Sequence, residues 1–292
     1  MTFDQFLQYV FSGITSGSVY ALTALGFTLV FNATQVINFA QGQLVMLGGM
    51  SAVSLYRAGV PLWGCFLGGV AIVSVLAVMF ERAAVRPLLH KGILAQVIAT
   101  VAASFVLETL AMLIWGRDAV GLPPFSGDKP LAVAGATVVP QTLWVVGLTV
   151  AIVSALQVFY RSSLFGKAVR ACSVDATAAR LQGISYSRVV TFSFALTGAI
   201  SAAAGVMITP ISFMSYHSGS LLGLKGFAAA TLGGLGSPLG AVLGGYLLGL
   251  VEALGVGLVS AGYKDAIAFV ILLLVLFLRP AGLLGLKAVR ER

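Results

Sequence analysis

Long apolar runs alternate with short polar or basic segments over the whole chain. Runs that could cross a bilayer lie at about residues 6–31, 44–58, 62–81, 93–115, 142–160, 189–209 and 266–280. Because a bilayer core is crossed by about 20 apolar helical residues, each run predicts a transmembrane helix. The first run is too long for the core of a signal peptide and has no basic residue before it, so we expect it to be retained as a span.

Two interruptions break this regular pattern, and the first lies in residues 226–258. This apolar region is long enough for more than one helical piece, but it contains the segment GGLGSPLG. Pro238 lacks a backbone donor there, and the glycines weaken a helix. If the basic segments of the chain share one side of the membrane, this region must begin and end on the opposite side. A broken helix or a re-entrant hairpin is therefore predicted.

The second interruption is the uncharged segment NATQVINFAQGQ at residues 32–43. Irregular backbone and amide side chains survive at membrane depth only where protein or a water-filled cavity satisfies their hydrogen bonds. Asn38, Gln41 and Gln43 are therefore candidates for lining the path of a polar solute. Capping of a broken helix by the same amides explains them equally well.

The composition excludes a large soluble domain. Hydrophobic residues make up 59% of the 292 residues and charged residues only 9%, against about 25% charged residues in soluble proteins. Glycines inside the apolar runs let helices pack closely in lipid, and Gly236, Gly240 and Gly244 form one such series. The predicted fold class is an all-α polytopic membrane protein, with about eight transmembrane helices plus broken or re-entrant segments.

The distribution of the net charge of +8 indicates membrane topology rather than nucleic-acid binding. Twelve of the 17 basic residues form three clusters that flank apolar runs: Arg82, Arg86 and Lys91; Arg161, Lys167, Arg170, Arg180 and Arg188; Arg279, Lys287, Arg290 and Arg292. Basic residues accumulate on the cytoplasmic side of membrane proteins. The clusters therefore predict a cytoplasmic loop at 161–188 and external loops at 116–141 and 211–225.

Catalytic chemistry is not indicated by the sequence. The two histidines lack metal-ligand spacing with other residues, and the Gly166-Lys167 pair lacks the rest of a phosphate-binding loop. Glu108 and Glu252 lie inside apolar runs, where a charge costs about 2.5–3.5 kcal/mol. They could serve as a proton or cation relay, but hydrogen bonding between helices or a position near the membrane surface is favoured. No intramembrane Lys or Arg is evident as a partner for either.

The loop at 161–188 contains a short helix with its own end signals. Ser173 is expected as the N-cap and Asp175 in the first turn. Arg180 falls in the last turn, and Gly183 occupies the usual left-handed position after it. A simple connector explains the arginines but not the length of the loop. Docking in a groove of a partner is favoured, through a slim apolar face formed by Ala176, Ala178, Ala179 and Leu181.

Four ordered motifs carry a family resemblance over nearly the whole chain: GSVYALTALGFTLVFNATQVINFAQGQLVMLGG, FGKAVRACSVDATAARLQGI, KGFAAATLGGLGSPLGAVLGGYLLGLVE and LRPAGLLG. The chain resembles the permease subunits of ABC importers for branched-chain amino acids, of the LivH type. The resemblance implies a single permease domain over residues 1–292 in the bacterial plasma membrane. It also implies that residues 173–183 act as a helix coupled to an ATPase, with the implied site residues Arg170, Ser173, Asp175, Ala178, Ala179, Arg180 and Gly183.

The resemblance further implies a set of partners and a mechanism. The partners are a second related permease, two cytoplasmic ATPases that bind ATP and Mg²⁺, and an external solute-binding protein. This chain is expected to bind no cofactor of its own and to translocate Leu, Ile or Val by alternating access. The coupling signature of many ABC importers has Glu where this chain has Thr177, which puts one salt bridge in doubt. Permeases for urea, short amides or other amino acids are the alternatives, followed by an ion-coupled secondary transporter and a non-transporting scaffold.

Overall fold

The computed structural model describes residues 2–89, 91–127, 129–133, 135–279 and 281–285. Its helices are α1 Phe3–Thr34, α2 Gln41–Arg57, α3 Leu62–Phe80, α4 Ile93–Trp115, α5 Pro140–Ser162, α6 Leu164–Val174, α7 Ala176–Leu181, α8 Tyr186–Ser212, α9 Ser218–Gly233, α10 Pro238–Leu258 and α11 Lys264–Leu278. Short π-helical and 3₁₀ turns continue α3 to Leu88. Seven of the described helices are long and apolar enough to cross a membrane. The predicted all-α polytopic class is therefore confirmed.

The centre of the bundle is built from helices that approach to backbone contact. Helix α1 packs along α10, and α8 packs against α1, α2 and α3. A side chain at Gly249 of α10 would overlap the backbone of Gly17 in α1, and one at Gly245 would overlap Ala21. Small residues permit this approach, which supplies the van der Waals contact that holds helices together in lipid.

The polar ends of the bundle differ in charge. At one end, Asn32 donates from Nδ2 to the Gly236 carbonyl, and Arg161 and Arg170 line a cavity with Gly236. Arg86 and Arg180 line a second pocket at the surface. Leu283 and Leu284 donate backbone N–H groups to the carbonyls of Leu232 and Gly233, which brings the segment after α11 to the same place. We call this the basic end; Lys287, Arg290 and Arg292 lie outside the described residues.

The opposite end carries a short antiparallel β-hairpin that the sequence did not predict. Strand β1 (Leu131–Val133) pairs with β2 (Ala136–Val138), with Leu131 opposite Val138 and Ala132 opposite Thr137. Val120 also pairs with Met214, which joins the segment after α4 to the segment after α8. We call this the hairpin end.

The interruption predicted in residues 226–258 is present as a helical hairpin. Helix α9 ends at Gly233, and α10 begins at Pro238 with the Ser237 hydroxyl accepting from the Gly240 N–H. Gly236 has φ +93° in the turn between them and is not part of a helix, contrary to its expected place in a packing series. Gly240 and Gly244 do lie against α9, where added side chains would overlap Gly233 and Ala229.

Helix α9 begins earlier than the sequence predicted. Residues 218–225, expected in an external loop, form its first two turns. An added side chain at Gly42 of α2 would overlap the carbonyl oxygen of Gly219 and the backbone of Gly223. One face of this part of α9 therefore packs closely on α2, and that face needs small residues rather than the apolar run that marks a lipid-facing span.

Candidate functional site

The segment between α5 and α8 consists of two helices, where the sequence predicted one. The expected N-cap was wrong: Ser173 lies in the last turn of α6 and donates its hydroxyl to the Arg170 carbonyl, 2.8 Å away. The N-cap of α7 is Asp175, whose Oδ1 accepts from the backbone N–H groups of Thr177 at 2.8 Å and Ala178 at 2.9 Å. The backbone of an N-cap residue is typically extended. The backbone of Asp175 is extended, with φ −153° and ψ 106°.

The other end of α7 follows the predicted pattern and is fixed to α8. Gly183 has φ +81°, and the Ile184 N–H returns to the Ala179 carbonyl, which closes the last turn. The Arg180 guanidinium lies 4.4 Å from the centre of the Tyr186 ring. This cation–π contact connects α7 to the first turn of α8.

The exposed face of this segment differs from the predicted one. Ala179, expected on the docking face, is buried in a cluster with Val169, Cys172 and Val189. Val174 and Leu181 are instead 88% and 84% exposed at the basic end. Large apolar side chains left exposed together at a polar surface mark interaction sites. We call Val174, Thr177, Ala178 and Leu181 the α7 face.

Cys172 lies beneath the α7 face. Burial raises the pKa of its thiol, and the nearby positive charge of Arg180 offsets part of that shift. A thiol with a raised pKa holds less of the reactive thiolate at a given pH. Cys172 is therefore a structural residue of the segment.

The break between α1 and α2 brings the predicted amides into the interior. Asn38 is buried, and its Oδ1 accepts from the Ala40 N–H just before α2, so this residue shapes the break. Gln41 and Gln43 lie in the first turn of α2 and are also buried. Gln41 Nε2 donates to Ser201 Oγ of α8 at 2.6 Å.

Gln43 belongs to a hydrogen-bonded cluster around the first intramembrane carboxylate. Its Nε2 donates to Ser220 Oγ at 3.1 Å and to Glu108 Oε2 at 3.3 Å. The other carboxylate oxygen of Glu108 lies 2.9 Å from His217 Nδ1. The cluster connects α2, α4 and α9, and it includes the N-termini of both α2 and α9, where the helix dipole favours a negative charge. Glu108 is therefore hydrogen-bonded between helices. This agrees with the interpretation favoured from the sequence, in which the carboxylate is held by neighbouring helices.

The second intramembrane carboxylate has partners that the sequence analysis missed. Glu252 Oε1 lies 3.1 Å from Lys225 Nζ and 3.4 Å from Lys264 Nζ, and it accepts from the Tyr20 hydroxyl at 3.0 Å. Lys225 Nζ also lies 2.6 Å from Asp265 Oδ1. The expectation that no intramembrane base is available was wrong, because Lys225 was assigned to a loop and not to α9.

A third carboxylate in the interior, that of Glu81, was not identified as a candidate from the sequence. Glu81 follows α3 in the π-helical turn, is fully buried, and accepts from the Thr191 hydroxyl of α8 at 3.0 Å. The sequence does contain one indication of this residue: Glu81 is an acid at the end of an apolar run, directly before a basic residue. The contact fixes the end of α3 to α8.

Comparison with known proteins assigns the chain to a family. The family described as branched-chain amino acid transport system / permease component matches residues 9–276. The chain belongs to this family. It is 36% identical over 305 aligned residues to the high-affinity branched-chain amino acid transport system permease protein LivH of Escherichia coli K12, covering 99% of this chain and 98% of LivH. It is 31% identical to the corresponding permease protein BraD of Pseudomonas aeruginosa, with 98% of each chain covered.

The resemblance found in the sequence is thus confirmed, and a solved structure bears on the fold. One chain of PsaBC from Streptococcus pneumoniae in complex with Fab aligns with a TM-score of 0.50 at 15% identity, covering 94% of this permease and 92% of that chain. A likeness at this identity concerns the fold alone, and it agrees with the predicted permease fold. With its family and its membrane-length helices, the permease is a multi-pass protein of the bacterial inner membrane.

Proposed function

We propose that this permease is the membrane subunit of an ATP-binding-cassette importer that translocates Leu, Ile and Val by alternating access. Support comes from the two relatives that it covers almost end to end, both named for branched-chain amino acid transport. Urea, short amides and other amino acids are less favoured as substrates because neither relative is named for them. ATP and Mg²⁺ bind to two partner ATPases, and this chain serves as a permease without a nucleotide site or cofactor of its own.

The observation that carries this proposal is the exposed α7 face at the basic end. Three basic clusters flank this end in sequence, and the positive-inside rule places it in the cytoplasm. Val174 and Leu181 lie there in water and not in lipid, which costs free energy unless a partner covers them. A cleft on each cytoplasmic ATPase is the partner that the family resemblance implies. The solute-binding protein and its bound amino acid dock at the hairpin end, and a second related permease completes the path.

A continuous set of contacts connects the α7 face to the interior. Helix α7 is held to α8 through the Arg180–Tyr186 contact and the packing of Ala179 on Val189. Ser201, further along α8, accepts a hydrogen bond from Gln41 at the start of α2. When an ATPase moves α7, these contacts transmit the movement to α8. The movement of α8 then displaces the amide side chains at the break between α1 and α2. Rigid elements in contact are a physical means of coupling two distant sites.

The coupling role is tested by replacing Val174 and Leu181 together with aspartate. We expect normal membrane insertion, loss of co-purifying ATPase, and about a tenfold or larger decrease in ATP-driven leucine uptake into proteoliposomes, because charges cannot be buried in an apolar cleft. Leu164→Asp is the matched control, since Leu164 is also 84% exposed but lies at the first turn of α6. It should retain uptake.

Two outcomes would contradict the proposal. Normal uptake by the double variant would reduce α7 to a connector between α6 and α8. Leucine uptake by the purified permease alone, under a proton or sodium gradient and without ATP, would establish an ion-coupled transporter instead.

A further inference from the structure

A cavity lies beside the buried charges of Lys225 at the hairpin end of the bundle. Its volume is about 230 Å³, and it is bounded by α1, α8, α9 and α11. Ser212 and Phe213, which end α8, form part of its mouth, and Lys225 lies in its wall two turns along α9. The cavity is smaller than the roughly 300–1,000 Å³ of sites for drug-sized ligands, so it suits a ligand of the size of an amino acid.

The charges around this cavity alternate in sign and differ in exposure. Lys225 has 6% of its side chain exposed and contacts both Glu252 and Asp265. Asp265 and Lys264 are 52% and 49% exposed and lie in the first turn of α11. The pair of Lys225 with Glu252 is therefore buried, whereas the pair of Lys225 with Asp265 lies at the boundary with solvent.

The remaining wall is mixed: Ser16, Tyr20, Ser212 and Ser218 carry hydroxyl groups, and the other lining residues are apolar. Val19 of α1, Ile208 of α8, and Leu221 and Leu222 of α9 face the cavity, together with Met214. An isolated charge would be expensive in such a space. A ligand with one positive and one negative group, attached to an aliphatic body, would match both parts of the wall.

We infer that this cavity is a transient binding subsite for a zwitterionic α-amino acid with an aliphatic side chain. The ligand carboxylate takes the position of the Asp265 carboxylate against Lys225. The ligand ammonium pairs with the displaced Asp265, and the aliphatic side chain lies against Val19, Leu221 and Leu222. One ion pair is exchanged for another, so that no unpaired charge is buried and the exchange is reversible.

This inference rests on the proposed function, and it adds a place on the route. The cavity opens at the hairpin end, where the solute-binding protein releases its ligand in the proposed mechanism. An amino acid would meet the Lys225 subsite first and reach the amides of α2 afterwards. Helix α9 separates the two places, with Ser220 and His217 on the side of Glu108 and Leu221, Leu222 and Lys225 on the side of the cavity.

The subsite is tested by protection of an introduced cysteine in the assembled transporter. Ser212→Cys places a thiol at the mouth, and Val139→Cys places one at an exposed position of the hairpin end outside the cavity. Labelling with a small maleimide is measured with L-leucine, with 4-methylpentanoate, which lacks the ammonium, and with 3-methylbutylamine, which lacks the carboxylate. We expect leucine alone to slow labelling at position 212, about tenfold at saturation, and none of the three to affect position 139.

A second variant separates recognition from folding. Asp265→Asn removes the proposed partner of the ligand ammonium but leaves the Lys225–Glu252 pair intact, and it should abolish protection by leucine. Asp118→Asn, at another exposed acid of the same end, should leave protection unchanged. Equal protection by all three compounds, or full protection in Asp265→Asn, would overturn the zwitterion subsite.

The outcomes also distinguish this inference from the proposed function. If the intact transporter imports leucine in an ATP-dependent manner but leucine never protects position 212, the subsite is refuted and the proposed function stands. If the transporter with its binding protein imports no leucine, the proposed function itself fails.

Discussion

Helices α1 and α4 are both long and apolar, yet one is enclosed by protein and the other is not. The apolar stretch of α1 is 83% buried and that of α4 only 11%. Helix α1 presents Gly13 and Gly17 to α10, whereas α4 directs Phe105, Leu110 and Leu113 outward. Lipid tails are as apolar as leucine, so hydrophobicity does not separate the two helices. In this permease the glycines that allow close approach of another helix, and not a greater hydrophobicity, distinguish enclosed α1 from α4.

The strongest test of this difference replaces glycines in the two environments. Gly249→Leu forces a side chain into the backbone of Gly17, and neither helix can yield without separating. We expect loss of the folded protein, because overpacking costs about 1–3 kcal/mol or more even where the neighbours can adjust. The measurement is the yield of monodisperse permease after detergent extraction.

Gly147→Leu in α5 is the matched control, because an added side chain there meets no atom within 4 Å. It should give the yield of the unchanged protein. A yield for Gly249→Leu as high as that of Gly147→Leu and of the unchanged protein would show that close packing of α1 on α10 does not hold the bundle together.

Removing a buried positive charge should have a smaller effect on the fold than overpacking the interface of α1 and α10. Lys225→Met leaves buried Glu252 with only Lys264 and Tyr20, and should lower the free energy of unfolding by about 3 kcal/mol, the lower end of the range for breaking a buried ion pair. Adding Glu252→Met should restore most of the loss, because a well-packed apolar pair is tolerated where a single charge is not. Unfolding is followed in mixed micelles.

Lys129→Met serves as the control for the loss of a positive charge, since Lys129 is exposed at the hairpin end. It should change the unfolding free energy by less than about 0.5 kcal/mol. A Lys225 variant as stable as the Lys129 variant would mean that the buried charges contribute nothing to the fold.

The smallest effect concerns thiol chemistry at the α7 face. At pH 7.5, native Cys172 should react with a membrane-impermeant maleimide about tenfold more slowly than Thr177→Cys in a Cys172→Ala background. Burial both shields the Cys172 sulfur and raises its pKa, so less thiolate is present. Labelling should require access from the cytoplasm. Labelling of Thr177→Cys in intact cells would place α7 outside and contradict the predicted topology.

The lipid-facing helices could be located from the sequence because bilayer thickness dictates the length of an apolar run. The run at 93–115 coincides with α4, and the run at 62–81 with α3. The first two turns of α9, residues 218–225, could not be found in this way, because their small residues and Lys225 are typical of a loop when the surrounding protein is unknown. Because residue 225 was assigned to a loop, Lys225 of α9 was not recognised as a partner of Glu252.

The candidate sites, like the helices, could be predicted only in part from the sequence. Asn38, Gln41 and Gln43 were recognised as buried amides because their chemistry demands an internal partner, but which partners they meet depends on tertiary packing. Ser173 and Asp175 are both good N-caps, and the choice was decided by α6, which extends to Val174. Ala179 could not be assigned to the buried side of α7 without knowing that α8 packs there.

The last described residues complete the end of α9, since Leu283 and Leu284 satisfy the carbonyls of Leu232 and Gly233. A ribosome delivers α9 to the membrane before these residues exist, so those carbonyls stay uncapped until the final span has been made. Assembly of the permease is therefore finished by its own tail. A polypeptide released before residue 283 would leave these two carbonyls without the partners that Leu283 and Leu284 provide.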